Sequence, residues 1–369
     1  MTVMRREIGE QPEALARTLD ALLPLRGQIA ALAEGRRHVL FVARGSSDNA
    51  AIYGRYLCEV LAGRPAALAA PSVATHYRAD LDLSDTVTVC VSQSGETAEI
   101  AETQAWAAAH GARTVAVTNV AGSTLAGAAD LALITEAGAE LAVPATKTYT
   151  TQLAAIAVLV SGLTDRPLDF ARVPGEAARL LDVDPTAAVE LLAAERGAPT
   201  VRPGAPTSTA AERGAPTVSP GASTSTDMLV TGRGITFGTA LEVALKLEET
   251  CLRPVRGLSY ADLKHGPIAV VDADLAAVLV AAPTGPTVEG MTQLAATVRE
   301  RQATVIGIGG HAAFAAQCDV VLPGPDLSEE LAPLALAVPG QLMVEALARR
   351  LGLDPDRPRG LSKVTQTDR

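Results

Sequence analysis

Short apolar runs alternate along this chain with longer stretches whose apolar residues recur three and four positions apart. The short runs read as buried strands and the longer stretches as helices. In the first half, strands are predicted over residues 38–43, 66–70, 86–91, 114–119 and 131–134. Helices are predicted over 12–23, 28–34 and 49–61, and from Thr97 to about His110. The second half repeats the plan, with strands at 228–231, 275–282, 304–309 and 320–322. Its helices cover the stretch containing 242–249, then 287–300 and 339–351. Alternation at these lengths predicts parallel sheets covered on both faces. Each half opens with a strand, a turn joining arginine and glycine (Arg44-Gly45, then Gly232-Arg233-Gly234) and a helix. The fold class expected is therefore α/β, with two tandem doubly wound, flavodoxin-like domains.

The expected organisation is an N-terminal helical segment (1–25), a first domain (26–165), a helical connector (166–192), a linker (193–226), a second domain (227–351) and a C-terminal tail (352–369). The linker is a tandem duplication. Ala193-Ala194-Glu195-Arg196-Gly197-Ala198-Pro199-Thr200-Val201 recurs as Ala210-Ala211-Glu212-Arg213-Gly214-Ala215-Pro216-Thr217-Val218. Rich in Pro, Gly, Ser and Thr and without an aliphatic pattern to bury, it is expected to be a mobile spacer that carries no chemistry.

Aromatic residues make up only 3% of the chain, so the cores must be built from Ala, Val, Leu and Ile. The formal net charge of −10 offers no basic face, which argues against a nucleic-acid partner. It leaves room for a small anion, since helix N-termini bind phosphate with little formal positive charge. Cys58, Cys90, Cys251 and Cys318 are widely spread with no metal-ligand spacing, and read as buried free thiols in a reducing cytosol. No stretch approaches a membrane span and the opening residues lack a signal-peptide core, so a cytoplasmic location is expected. Neither a metal nor another cofactor is implied.

Two features carry candidate chemistry. Glu242, Lys246 and Glu249 stand at i, i+4 and i+7, sharing one face of a helix otherwise lined by Leu241, Ala244, Leu245 and Leu247. Such a cluster is tuned for proton transfer if desolvated, and is an ordinary ion-paired surface if not. Lys264-His265-Gly266-Pro267 follows, adding a second acid/base group. The other feature is Ser92-Gln93-Ser94-Gly95-Glu96-Thr97, placed where a strand turns into a helix. Ser92, Ser94 and Thr97 can converge on one anion at the helix N-terminus, with Gly95 permitting close backbone approach. Gly45-Ser46-Ser47 offers donors to the same crevice from the neighbouring strand end. These serines could instead simply cap their helices.

Together these loops resemble the sugar isomerase (SIS) domain. The opening Met4-Arg5-Arg6-Glu7-Ile8-Gly9-Glu10-Gln11-Pro12 is similar to the start of the isomerase half of the glucosamine-6-phosphate synthases. So are residues 240–249, Leu263-Lys264-His265-Gly266-Pro267 and Pro358-Arg359-Gly360-Leu361-Ser362-Lys363, in order and spacing. The resemblance covers nearly the whole chain except the duplicated insert.

The resemblance implies that Glu249 moves a proton between C1 and C2 of an open-chain sugar phosphate, with Glu242 and Lys246 setting the electrostatics around it. It implies that His265 assists ring opening and that Lys363 meets the carbonyl carbon. Ser47, Ser92, Gln93, Ser94 and Thr97 would contact phosphate and sugar, with Gly45, Ser46 and Gly95 shaping the loops. Val143, Ala145 and Thr146 would belong to a loop over the sugar, Ala145 standing where the synthases carry serine. The histidine segment implies a homodimer with a shared site. The chain begins almost at the isomerase half, so glutamine hydrolysis in cis is not expected. Stand-alone double-SIS chains resemble the glucosamine-6-phosphate deaminases, which release fructose-6-phosphate and ammonia. The expected function is accordingly an amino-sugar-phosphate deaminase/isomerase, with a hexosamine 6-phosphate as its small-molecule partner. A synthase-type aminotransferase fed by free ammonia, and a non-catalytic sugar-phosphate-binding regulator, remain open, as does the epimer.

Overall fold

The computed structural model describes residues 1–194 and 227–363. Helices α1 (Val3–Gly9), α2 (Gln11–Leu22) and α3 (Arg26–Leu32) precede β1 (His38–Val42). The first domain continues through α4 (Ser46–Val60), β2 (Ala66–Leu68), α5 (Ser72–Thr75), β3 (Thr86–Val91), α6 (Ala98–Ala109), β4 (Arg113–Thr118), α7 (Thr124–Ala128) and β5 (Leu131–Ile134). Three helices follow: α8 (Lys147–Ser161), α9 (Val173–Leu180) and α10 (Thr186–Ala193). The second domain runs β6 (Met228–Gly232), α11 (Phe237–Cys251), β7 (Val255–Ser259), α12 (Tyr260–Lys264), β8 (Ala276–Ala281) and α13 (Val288–Glu300). It ends with β9 (Thr304–Gly309), α14 (Ala312–Ala315), β10 (Val320–Leu322) and α15 (Pro333–Arg350). Of the duplicated insert (193–226), residues 195–226 lie outside the described residues, while Ala193, expected in the linker, ends α10.

Both sheets are five-stranded and parallel, in the orders β2-β1-β3-β4-β5 and β7-β6-β8-β9-β10. Each reverses direction beside its first strand, so each has a crevice at the carboxyl ends of β1 and β3 or of β6 and β8. The central strands β3 (TVTVCV) and β8 (AAVLVA) are buried at every position, as strands covered on both faces require.

The short helices α5, α7, α12 and α14 escaped the sequence reading, and so did two larger features, α8 and β7. All fifteen residues of α8 are buried, so it has no polar stripe to reveal a helical period. β7 is a half-buried edge strand interrupted by Arg256 and Gly257. α15 starts six residues before its predicted beginning and carries Pro339 internally. Cys58, Cys90 and Cys251 are buried free thiols, but Cys318 is only partly so.

Helices α4, α8 and α11 meet between the two sheets. Small residues make this possible: a side chain on Gly54 would strike Phe41 and Ile156, and one on Gly238 would come within 2.4 Å of the Asn49 carbonyl oxygen. The close passage of α11 over α4 brings the charged face of one domain to the crevice of the other.

Candidate functional site

At the end of β3 the chain turns sharply. The Ser92 hydroxyl accepts from the Gly95 amide at 3.2 Å and lies 3.4 Å from the Thr97 hydroxyl. The Ser94 hydroxyl accepts from the Glu96 amide at 3.2 Å. Gly95 has φ +67°, and a Cβ there would fall 2.2 Å from the Ser123 hydroxyl, so only glycine fits this turn. Glu96 points away, accepting from the Thr124 amide and hydroxyl at 2.9 and 2.8 Å. Thr97 is the cap residue of α6, so the loop sits at the positive end of that helix. On the neighbouring strand, Gly45 at φ +57° opens α4, whose first turn carries Ser46 and Ser47. Arg44 beside it makes a two-pronged pair with Glu99 at 3.0 and 2.8 Å.

Opposite stands the charged face of α11. Lys246 is buried, 3.5 Å from Glu242 Oε1 and hydrogen-bonded to Glu249 Oε2. Glu242 is 1% exposed and accepts from Asn49 Nδ2 at 2.9 Å, tying α11 to α4. Burial pushes the Glu242 carboxyl above its ordinary range, against the opposing pull of Lys246 and Asn49. Burial also works against the Lys246 charge, but Glu242 and Glu249 outweigh it and hold the ammonium on. One ammonium thus serves two carboxylates, and Glu249 is the one that reaches open space.

The remaining wall comes from two distant segments. Lys363 donates to Glu140 Oε2 and to the Ala142 carbonyl, both at 2.7 Å. Glu140 is fully enclosed, accepting also from the Thr146 amide and hydroxyl (2.9 and 3.2 Å) and the Thr148 amide and hydroxyl (3.1 and 2.6 Å). Burial alone would raise its carboxyl, yet Lys363 and the Thr148 and Thr146 donors more than offset this and hold it below the ordinary range.

These parts enclose one cavity of about 400 Å³. Ser47, Ser92, Gln93, Ser94 and Thr97 line it, with Gly45 and Ser46 at the α4 end. Val143 and Ala145 form another wall, and Lys246, Glu249 and Lys363 bring their charged groups to the same space. Four predicted site residues lie elsewhere. Glu242 stands behind Lys246, and Gly95 at the back of its loop. Thr146 is turned onto Glu140. His265 is exposed beyond the end of α12 and forms no part of the cavity wall within its own chain.

Sequence reasoning missed Glu140, Thr148, Gln152 and Arg44 among the lining residues. Thr148 and Gln152 are one turn apart on α8, the helix whose apolarity hid it. Arg44 stood in the quoted turn without being singled out. Gln152 is 2% exposed, and its Oε1 has no hydrogen-bond partner. Of the buried side-chain polar atoms left unpaired among the described residues, Gln152 Oε1 alone belongs to a residue of the cavity wall. Among the described residues no cluster of His, Cys, Asp and Glu suited to a metal is present, and no helix is long and apolar enough to cross a membrane.

Comparison with known proteins identifies the family. The SIS domain family model matches residues 32–162 and 223–348. The glutamine–fructose-6-phosphate aminotransferases (isomerizing) of Pyrococcus horikoshii and Thermococcus kodakarensis are 31% and 34% identical over 98% of the chain. The chain spans 57% of the length of either relative. Among solved structures, the C-terminal domain of glucosamine-fructose-6-phosphate aminotransferase from Francisella tularensis superposes with TM-score 0.81 at 25% identity, covering 97% of this chain and 98% of that one. A glucosamine-6-phosphate deaminase from Thermotoga maritima shares the fold, with TM-score 0.74 at 21% identity over 99% of this chain and 100% of that one. The chain therefore belongs to the SIS family, carries two SIS domains, and is homologous to the isomerising part of the glucosamine-6-phosphate synthases.

Proposed function

We propose that this chain is an amino-sugar-phosphate deaminase/isomerase, converting glucosamine-6-phosphate and water to fructose-6-phosphate and ammonia. The observation that carries the reading is the convergence on one cavity of a hydroxyl-rich helix N-terminus with Glu249, Lys246 and Lys363. The volume lies within the range of pockets that take small metabolites.

In this reading Ser47, Ser92, Ser94 and Thr97 hold the phosphate, supported by the amide end of α6. Gln93, Val143 and Ala145 border the sugar, while Thr146 acts indirectly by fixing Glu140. Anchoring the phosphate one sugar length from the carboxylate supplies orientation worth several kcal/mol of barrier. Glu249 removes the proton from C2 of the open-chain amino aldehyde and returns it to C1. This leaves a C2 imine, to which water adds as ammonia departs. Glu249 suits this role because it is the carboxylate of the α11 triad that faces the cavity, and Lys246 fixes its position. Glu242 stays behind as the charge that keeps Lys246 protonated. Lys363, brought in by the tail, meets the carbonyl carbon. His265 is assigned to ring opening at a neighbouring subunit's site, so the working unit is proposed to be a homodimer.

The same proton transfer run backwards with ammonia is the synthase-type reading, which the aminotransferase relatives favour. Both readings require exchange at carbon. Fructose-6-phosphate incubated with the protein in deuterium oxide should gain deuterium at C1, and Glu249→Gln should abolish this. Undiminished exchange in that variant would remove Glu249 as the base.

A further inference from the structure

The opening segment from Met4 to Pro12 supplies no wall of the cavity, yet its polar groups go to the segments that do. Glu7 is fully buried; its carboxylate accepts from the Leu141 amide at 2.5 Å and the Ala142 amide at 3.2 Å. Glu10 pairs with Lys147, itself 2% exposed. Both contacts grip the 140–147 loop, which carries Glu140, Val143 and Ala145.

The first turn of α1 grips the tail instead. The Val3 and Met4 amides donate to the Asp356 carboxylate at 2.9 and 2.7 Å. Thr2, the cap residue of α1, accepts from the Arg5 amide at 3.0 Å and donates to Glu345 at 2.7 Å, fixing the helix on α15. Loop and tail also join directly, since the Val143 amide donates to the Asp356 carbonyl at 2.9 Å. Seven residues beyond Asp356, Lys363 closes the circuit on Ala142 and Glu140.

We propose that α1 is a clamp that sets the closure of the cavity, with Glu7 and Asp356 as positioning residues that hold the 140–147 loop and the Lys363 tail against each other. A buried carboxylate whose oxygens each accept a backbone amide cannot be replaced by an amide side chain without leaving a donor against a donor. The clamp rests on the cavity being a hexose-phosphate site only for its effect on binding; the contacts themselves stand apart from that reading.

Glu7→Gln and Asp356→Asn test it separately and together. Asp356 is half-buried whereas Glu7 is fully buried, so Asp356→Asn is expected to fold and keeps the test open should the Glu7 variant fail to. In the ligand-free protein, either substitution should speed hydrogen exchange at the Ala142 and Val143 amides and across residues 357–363, without altering exchange in β3 or α6. By calorimetry each should weaken fructose-6-phosphate about tenfold, or ~1.4 kcal/mol. Inorganic phosphate, held at the Ser92–Thr97 loop, should bind as before. The double variant should lose less than the product of the two, because both act on one assembly. Unchanged exchange in loop and tail overturns the clamp, whatever binds. Equal loss of inorganic phosphate also overturns it, since the damage then reaches beyond closure. If the unsubstituted protein ignores fructose-6-phosphate, the functional reading fails while the exchange result still decides the clamp.

Discussion

Glu249, Lys246 and Glu242 were legible in the sequence because their spacing of four and three places them on one helical face, and the structure shows Glu242 and Lys246 buried, with Glu249 paired to Lys246 at the cavity. Glu140 was not legible: its partner Lys363 is 223 residues away, and no local pattern announces such a contact. Its charge has a measurable consequence. Because the Glu140 carboxyl is held below its ordinary value of 4.5, its ionised form stabilises the fold. That contribution is complete above about pH 4.5 and is lost as pH falls through the lowered value. Glu140→Gln, which breaks an ion pair with one fully buried member, should cost about 3 kcal/mol at pH 7. The gap in Tm between variant and parent should close on acidification; a gap independent of pH would mean that the charge is not the source. Glu249→Gln should lower turnover by at least about a hundredfold while leaving sugar-phosphate affinity nearly intact, as expected for loss of a general base. Gln152, with an unpaired buried oxygen at the cavity wall, should favour hexose phosphates over inorganic phosphate. Gln152→Ala should weaken fructose-6-phosphate alone, and parallel weakening of both ligands would assign it to packing.

At the scale of elements, most strands and amphipathic helices were visible from period and length, whereas α8 was not, because burial on all sides erases the period. That hidden helix contributes Thr148 and Gln152, so the missed element and these two missed site residues share one cause. The crossing of α11 on α4 depends on Gly238, where a Cβ would come 2.4 Å from backbone that cannot yield cheaply. Gly238→Ala should push the helices apart, cost about 1–3 kcal/mol of stability, and lower turnover by moving Glu249 relative to Ser47. Denaturant unfolding and steady-state kinetics together check this; a stable variant with slowed turnover would still place the crossing in the machinery, and a variant unchanged in both would contradict it.

The whole molecule presents two sheets of equivalent strand order, but only the first has the serine-rich loop that the proposed function reads as a phosphate site. The offsets correspond: Gly95 and Gly285 each lie four residues past their strands, both at positive φ, and Thr97 and Thr287 each cap the helix that follows. In the second domain the serines are replaced by Ala282 and Thr284, and the Glu329 carboxylate fills the crevice, where a Cβ on Gly285 would meet it at 2.1 Å. Thr287 donates to Glu329 at 3.4 Å. The chain thus supplies its own anion there, and calorimetric titration with inorganic phosphate should show one site per chain; two would mean that the second crevice is open. The symmetry of the two halves was legible in the sequence, but this occupancy was not, since Glu329 comes from the loop before α15. The proposed dimer has its own test at this scale. Glu249→Gln and His265→Ala variants, each inactive alone, should regain activity when unfolded and refolded together, because one of the two shared sites is then intact. Failure to complement would return His265 to the surface of its own subunit.

The most direct measurement is product release from glucosamine-6-phosphate by the purified chain in the absence of glutamine. The account predicts ammonia and fructose-6-phosphate in equal amounts, both lost in Glu249→Gln. Binding of the sugar phosphate with no release of either product would contradict it.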